Sequence, residues 1–263
     1  MNDRRHGPSS RLTRLRLAGD QAAEVLVAAE PEQRFSPHWH EEWSIGAVEE
    51  GLCEFACAGG RYRASAGSVV VMPPLALHTA GVSVGRFAMA MFYLPAGWVA
   101  RELGWPEDRR PHMRQVSFRD VGLQRDVCDA ARSARVDALP ALARRALGVA
   151  APGQAVVPLR PTHDPRLQPA LELLARDAVP DMASVARRCA LSREHFHRLF
   201  RAELGLTPGQ YARLAKIVRA KSLLGHGHSP ASVAAECGFV DQAHFSRWFR
   251  RCFGVTPGRY GTQ

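Results

Sequence analysis

The chain has 263 residues, 46% apolar and 23% charged, a balance that supports a full hydrophobic core and excludes a largely disordered polymer. No run approaches 18 consecutive apolar residues, which excludes a membrane-spanning helix, and the basic stretch Met1–Leu17 lacks the apolar segment of a secretory signal. The expectation is a soluble, cytoplasmic protein. The formal net charge is +10: residues 1–150 hold 19 basic and 17 acidic side chains, residues 151–263 hold 16 and 8. The surplus therefore lies in the C-terminal part, where a polyanionic partner is expected.

Along the first 95 residues, short apolar runs (Ala22–Ala28, Trp43–Glu49, Leu52–Ala58, Ser68–Met72, Arg86–Leu94) alternate with turn residues such as Gly51, Gly59-Gly60, Gly67 and Pro73-Pro74. Short, evenly spaced strands without helical periods predict an antiparallel β-barrel or sandwich. His38-Trp39-His40 opens this region, and strand alternation puts both imidazoles on one face. Gly67, Pro73 and His78 are similar to the second cupin motif, with Leu75 where that motif has glycine. Three histidines from two strands could bind a divalent metal. The acid that the first cupin motif adds is missing, because Ser44 or Ile45 stands in its place. Cys53 and Cys57 share a strand face, as two buried thiols or as a redox pair.

Val121–Ala134 and Leu139–Leu147 carry apolar residues at helical spacing. Leu123, Val127, Ala130 and Ala131 form one stripe and Leu139, Leu142 and Ala146 another, for packing on the barrel or on a second copy. Ala150–Pro165 has four prolines and little apolar period, and reads as a linker. From Arg166 onward the chain reads as helix.

That last part contains a repeat. Phe196, Leu199, Phe200 and Leu204 recur 49 residues later as Phe245, Trp248, Phe249 and Phe253. Gly205-Leu-Thr207-Pro208-Gly209-Gln-Tyr211 recurs as Gly254-Val-Thr256-Pro257-Gly258-Arg-Tyr260, and Ser184–Cys189 matches Ser232–Cys237 at offset 48. Each copy predicts helix, turn, helix, with Ser192 and Asp241 as N-caps of the second helices. Gly238 suits the turn, where the first copy has Ala190. Aromatic residues at i, i+3, i+4 and i+8 form a buried stripe, and the opposite face exposes Arg-rich polar residues. This is a helix-turn-helix whose second helix enters the major groove, where Arg reads guanine and Gln adenine. Between the copies, Thr207 caps and Pro208 starts a helix to Leu224, with Tyr211, Leu214, Val218 and Ser222 inward.

On these motifs, residues 166–263 resemble the DNA-binding domain of AraC/XylS-type transcription regulators. The stretch from Ala235 to Tyr260 follows that family's signature almost throughout. The resemblance implies seven helices, with base reading by Glu194, His197, Arg198, Ala243 and Arg247. Arg193, His195, Arg201, Gln242, His244 and Arg250 are then neighbouring or backbone contacts. It extends to the N-terminal half, which is similar to the family's cupin-like effector-binding domain, a class that mostly holds organic effectors without metal. The pocket candidates are His38, His40, Trp43, Met72, His78 and Phe92, with Trp39 beside them.

The expected organisation is a cupin-like domain over 1–115, a helical dimerisation or packing segment over 116–149, a linker over 150–165 and a tandem helix-turn-helix over 166–263. The expected function is effector-controlled, sequence-specific transcription regulation, with activation as its direction and operator DNA, a small molecule, RNA polymerase and a second copy as partners. No catalytic residue, metal ligand or cofactor is assigned. The alternatives are a metal-dependent cupin enzyme with an appended DNA-binding domain, and a constitutive DNA-binding dimer.

Overall fold

The computed structural model describes residues 9–19, 21–31, 35–83, 86–153, 155–158, 163–176 and 181–261. It divides into two units, residues 1–160 and 161–262. The part of the basic N-terminus before Ser9, and residues 159–162 of the expected linker, lie outside the described residues.

The first unit runs β1 (Ser9–Arg16), β2 (Ala22–Pro31), β3 (Phe35–His38), β4 (Glu42–Glu50), β5 (Leu52–Cys57), β6 (Gly60–Ser65), β7 (Ser68–Met72), β8 (His78–Ser83), β9 (Arg86–Pro95), α1 (Ala96–Leu103), β10 (Arg109–Pro111), β11 (Ser117–Arg119), α2 (Val121–Arg132), α3 (Leu139–Ala150) and β12 (Val156–Pro158). Every pairing is antiparallel. A six-stranded sheet, ordered β1-β2-β9-β4-β7-β11, stands beside a four-stranded sheet, ordered β3-β8-β5-β6. Among the described residues the ladders form separate sheets and are not joined into one closed ring.

One face of the six-stranded sheet is the main core. Val25, Trp43, Ile45, Val69, Val71, Phe92 and Leu94 pack there against Trp98 and Val99 of α1, Leu123 and Val127 of α2, and Leu139, Ala143 and Leu147 of α3. Both apolar stripes expected on α2 and α3 are thus enclosed within their own unit, Leu142 being the most accessible at 7%. Asp120 caps α2 through Leu123 N at 2.9 Å, and Arg145 of α3 bridges Asp120 and Asp126. Three elements differ from the sequence reading. β1 is polar enough to hide its alternation, α1 follows β9 with no side-chain cap at Pro95, and β12, inside the expected linker, pairs with β10.

The second unit begins with a short 3-10 turn at Pro165–Leu167. It continues as α4 (Gln168–Leu174), α5 (Met182–Arg188), α6 (Arg193–Leu204), α7 (Pro208–Gly225), α8 (Pro230–Glu236), α9 (Gln242–Phe253) and α10 (Pro257–Gly261). α7 starts with a complete capping box: Thr207 Oγ1 accepts from Gln210 N and Gln210 Oε1 accepts from Thr207 N, with Pro208 at the first turn. Its buried residues include Ala212, Leu214, Ile217, Ala220, Lys221 and Leu224, whereas Tyr211 and Val218 are half-buried and Ser222 is exposed. The single inward line expected from the sequence is therefore replaced by burial on more than one side. The cause is that α7 packs against α4 and α6 of one repeat and α8 and α10 of the other.

Candidate functional sites: a histidine-lined cavity and two exposed helix faces

A cavity lies between the two sheets of the first unit. It holds about 560 Å³ of non-atom space, its opening to solvent included. Phe35, His38, Cys53, Phe55, Ala64 and His78 line it from the side of the four-stranded sheet. Ser44, Val70, Met72, Met91 and Tyr93 line it from the other, with His40 in the loop after β3. Among the described residues no Lys, Arg, Asp or Glu is in the lining.

The polar groups of this wall are gathered. Ring centroids are 4.3 Å apart for His38 and His78, 4.8 Å for His38 and His40, 5.0 Å for His40 and His78, and 4.7 Å for His40 and Tyr93. Ser44 is the ladder partner of both Tyr93 and Met72, and its buried Oγ has no hydrogen-bond partner. Along β9 the cavity-facing residues run Phe87, Met89, Met91, Tyr93, so the cavity is apolar from Phe87 onward and polar at the Tyr93 end.

Local hydrogen bonds aim the histidines. His38 Nδ1 lies 2.7 Å from the Ser36 carbonyl and His78 Nδ1 lies 2.8 Å from the Ala76 carbonyl. A carbonyl only accepts, so both Nδ1 atoms carry protons, which directs a neutral ring's lone pair to Nε2. Burial pushes the His78 imidazole down to about 4, the Ala76 hydrogen bond opposing this in part, so the ring is neutral at pH 7. The turn before His78 is tied to the first pair by Leu75 N, which donates to the His40 carbonyl at 2.7 Å. Leu75 adopts φ +62°, the left-handed conformation that explains why the cupin motif has glycine there.

In the second unit the repeat is visible as geometry. Ser192 Oγ accepts from His195 N at 3.2 Å to start α6, and Asp241 Oδ1 accepts from His244 N at 2.6 Å to start α9. Both helices end at left-handed glycines, Gly205 (φ 71°) and Gly254 (φ 76°). Phe200 meets Tyr211 edge to face at 5.6 Å, and Phe249 meets Tyr260 the same way at 5.4 Å. Phe196, Phe200, Phe245 and Phe249 are fully buried, a contribution of roughly 1.5–3 kcal/mol each. The turns before α6 and α9 carry left-handed residues too, Ala190 (φ 54°) and Gly238 (φ 66°).

A family profile described as AraC-like ligand binding domain matches residues 21–200, and one described as helix-turn-helix domain matches residues 185–263. The chain belongs to the AraC family of transcription regulators. No curated protein sequence matches it. ToxT from Vibrio cholerae O395 is similar in structure, at TM-score 0.54 and 10% identity, over 90% of this chain and 96% of that one. ToxT bound to (E)-4-(8-methylnaphthalen-1-yl)but-3-enoic acid gives TM-score 0.55 at 10% identity, covering 91% and 98%. Wild-type ToxT from strain SCE256, bound to an unsaturated fatty acid, gives 0.51 at 11% identity, covering 99% and 96%. At such identities the likeness concerns the fold. No helix among the described residues is long and apolar enough to cross a membrane.

In this AraC-family regulator the structure sorts the sequence-predicted residues. His38, His40, His78 and Met72 line the cavity. Trp43 and Phe92 do not: both belong to the core on the opposite face of the sheet, Trp43 with its ring 6.3 Å from that of Trp105. Their neighbours Ser44, Met91 and Tyr93 take the cavity side. β4 and β9 are buried on both faces, so apolar/polar alternation could not mark which parity faces the cavity. Trp39 is half-buried and outside the lining. Cys53 and Cys57 are both buried.

On α6, Arg193, Glu194, Arg198 and Arg201 are exposed; on α9, so are Gln242, Ala243, Arg247 and Arg250. His195, His197 and His244 are half-buried. Nε2 of His197 and Nδ1 of His244 are enclosed without hydrogen-bond partners, and His244 packs edge-on against Phe239 and Trp248. The outer faces of the two helices are therefore chiefly arginine, with the histidines partly withdrawn.

Proposed function

We propose that α6 and α9 are the recognition helices of this regulator and that the cavity between its sheets receives the controlling effector. The observation that carries the reading is the repeated helix-turn-helix with two arginine-bearing faces, in one chain with a mostly apolar cavity that opens to solvent. Arg198 and Arg247 are the base readers, because each is exposed at the middle of its helix, opposite the buried phenylalanines. Arg193, Arg201, Gln242 and Arg250 flank them as phosphate or secondary contacts, with Glu194, Ala243 and the three half-buried histidines completing the faces.

The effector is an elongated apolar molecule with one polar head. The lining places Phe87, Met89 and Met91 along the apolar length and the imidazoles, Tyr93 and Ser44 at the head. The fatty acid in ToxT is of this chemical type. Effector binding acts by favouring one of two states of the regulator, which requires unequal affinity for them. Taken from the family, the reading also includes a homodimer, activation through RNA polymerase, a cytoplasmic location and no catalytic activity. The second copy docks elsewhere than on the α2 and α3 stripes, which are already enclosed.

Titration of the full chain with palmitoleic acid, followed by its thermal midpoint, tests the cavity. Saturable stabilisation is expected, and Ala64→Leu, which fills the lining from β6, removes it. No stabilisation by palmitoleic acid or by other amphiphilic acids of similar length contradicts the effector reading.

A further inference from the structure

The three histidines are arranged for more than lining a lipid-like cavity. His38, His40 and His78 are 3%, 5% and 5% exposed, and one nitrogen of each lies within 4.8 Å of the other two. They come from separate places in the chain: the end of β3, the loop behind it, and the start of β8, where His38 and His78 are cross-strand partners. The Leu75–His40 backbone hydrogen bond holds the third to the turn preceding His78. This convergence is therefore fixed by the fold.

The donor chemistry fits a cation. Two of the rings donate from Nδ1 to carbonyls two residues upstream, Ser36 and Ala76, the tautomer that presents Nε2 to a metal ion. Metal-bound histidines are held in this manner by hydrogen bonds from the other ring nitrogen. Tetrahedral nitrogen ligands about 2.0–2.1 Å from zinc stand roughly 3.4 Å apart, so a set already within 4.8 Å closes on an ion by small side-chain rotations.

We propose that His38, His40 and His78 bind one divalent transition-metal ion of the zinc or cobalt class. Three nitrogen ligands and no carboxylate leave the ion its full charge and an open coordination position, as in sites that accept a further ligand. Ser44, whose buried Oγ has no partner, faces the same cavity. The ion also supplies a positive charge in a lining that has no Lys or Arg among the described residues. The site is independent of the regulatory reading, because it is tested without DNA and without effector.

The experiment uses the full chain with any affinity tag removed, stripped with a chelator. It is then loaded with Zn²⁺ and passed through gel filtration, the retained metal being measured by plasma mass spectrometry. A parallel Co²⁺ titration follows the visible bands of nitrogen-ligated cobalt. About one ion per chain is expected, with saturable cobalt bands. His78→Gln and His40→Gln, confirmed as folded by circular dichroism, are expected to lose at least ten-fold in affinity. Wild-type protein that retains no ion above the stripped baseline overturns the proposal, whatever the variants do. So does retention by folded variants equal to that of the wild type. Palmitoleic acid binding by metal-free protein leaves the effector reading standing even when the metal site fails.

Discussion

Single residues record where backbone and side chain are in conflict. Ala190 occupies, at φ 54°, the left-handed turn position that glycine fills in the second repeat as Gly238 at φ 66°. A Cβ in that region is strained, so Ala190→Gly is expected to stabilise the second unit by roughly 0.5–1 kcal/mol, and Gly238→Ala to destabilise it by about 1 kcal/mol. Urea denaturation of both variants measures this. A loss of stability in Ala190→Gly would show that the turn is not strained. Burial pushes the Cys252 thiol up to about 12, Arg251 opposing this in part, and Cys57 up to about 11. Both are protonated in the folded chain while the unfolded chain ionises near pH 9, so their contribution is complete below pH 9 and is lost as pH rises toward 11–12. Iodoacetamide at pH 8 is accordingly expected to leave Cys252 unmodified in the folded protein and to label it in urea. Cysteine burial was legible from sequence; the cavity side of β4 and β9 was not. Trp43 and Phe92 looked like cavity residues because strands buried on both faces carry no polar parity mark.

At the scale of elements, legibility followed repetition and caps. The second repeat confirms the first because the same aromatic stripe, cap and glycine recur at a fixed offset, whereas β1 had no second copy to reveal it. Thr207 and Gln210 satisfy each other's backbone at the start of α7, the helix that packs against elements of both repeats. Thr207→Ala is therefore expected to cost about 1 kcal/mol, measured as a lower thermal midpoint of the second unit. An unchanged midpoint would mean that tertiary packing alone holds that end. The stripes of α2 and α3 illustrate the opposite limit. Periodicity showed that Leu123, Val127, Leu139 and Leu142 are buried, but burial against a sheet and burial against another chain share one sequence pattern. The structure places them on the sheet.

For the whole molecule, the charge division of the sequence corresponds to a division of labour. The surplus of eight positive charges in residues 151–263 belongs to the unit that carries α6 and α9, while the nearly neutral first half builds the cavity. The central claim is that two arginine-bearing helices read sequence. Its most direct test is selection of the full chain against a randomised duplex pool, sequenced after several rounds, with Arg198→Ala and Arg247→Ala in parallel. Two short enriched blocks about one helical turn apart are expected. Each variant should lose preference in one block only, a loss of roughly 1–3 kcal/mol at its own base position. Enrichment of no sequence, with salt-sensitive binding weakened equally on every duplex by both variants, would contradict the account and make these arginines phosphate contacts.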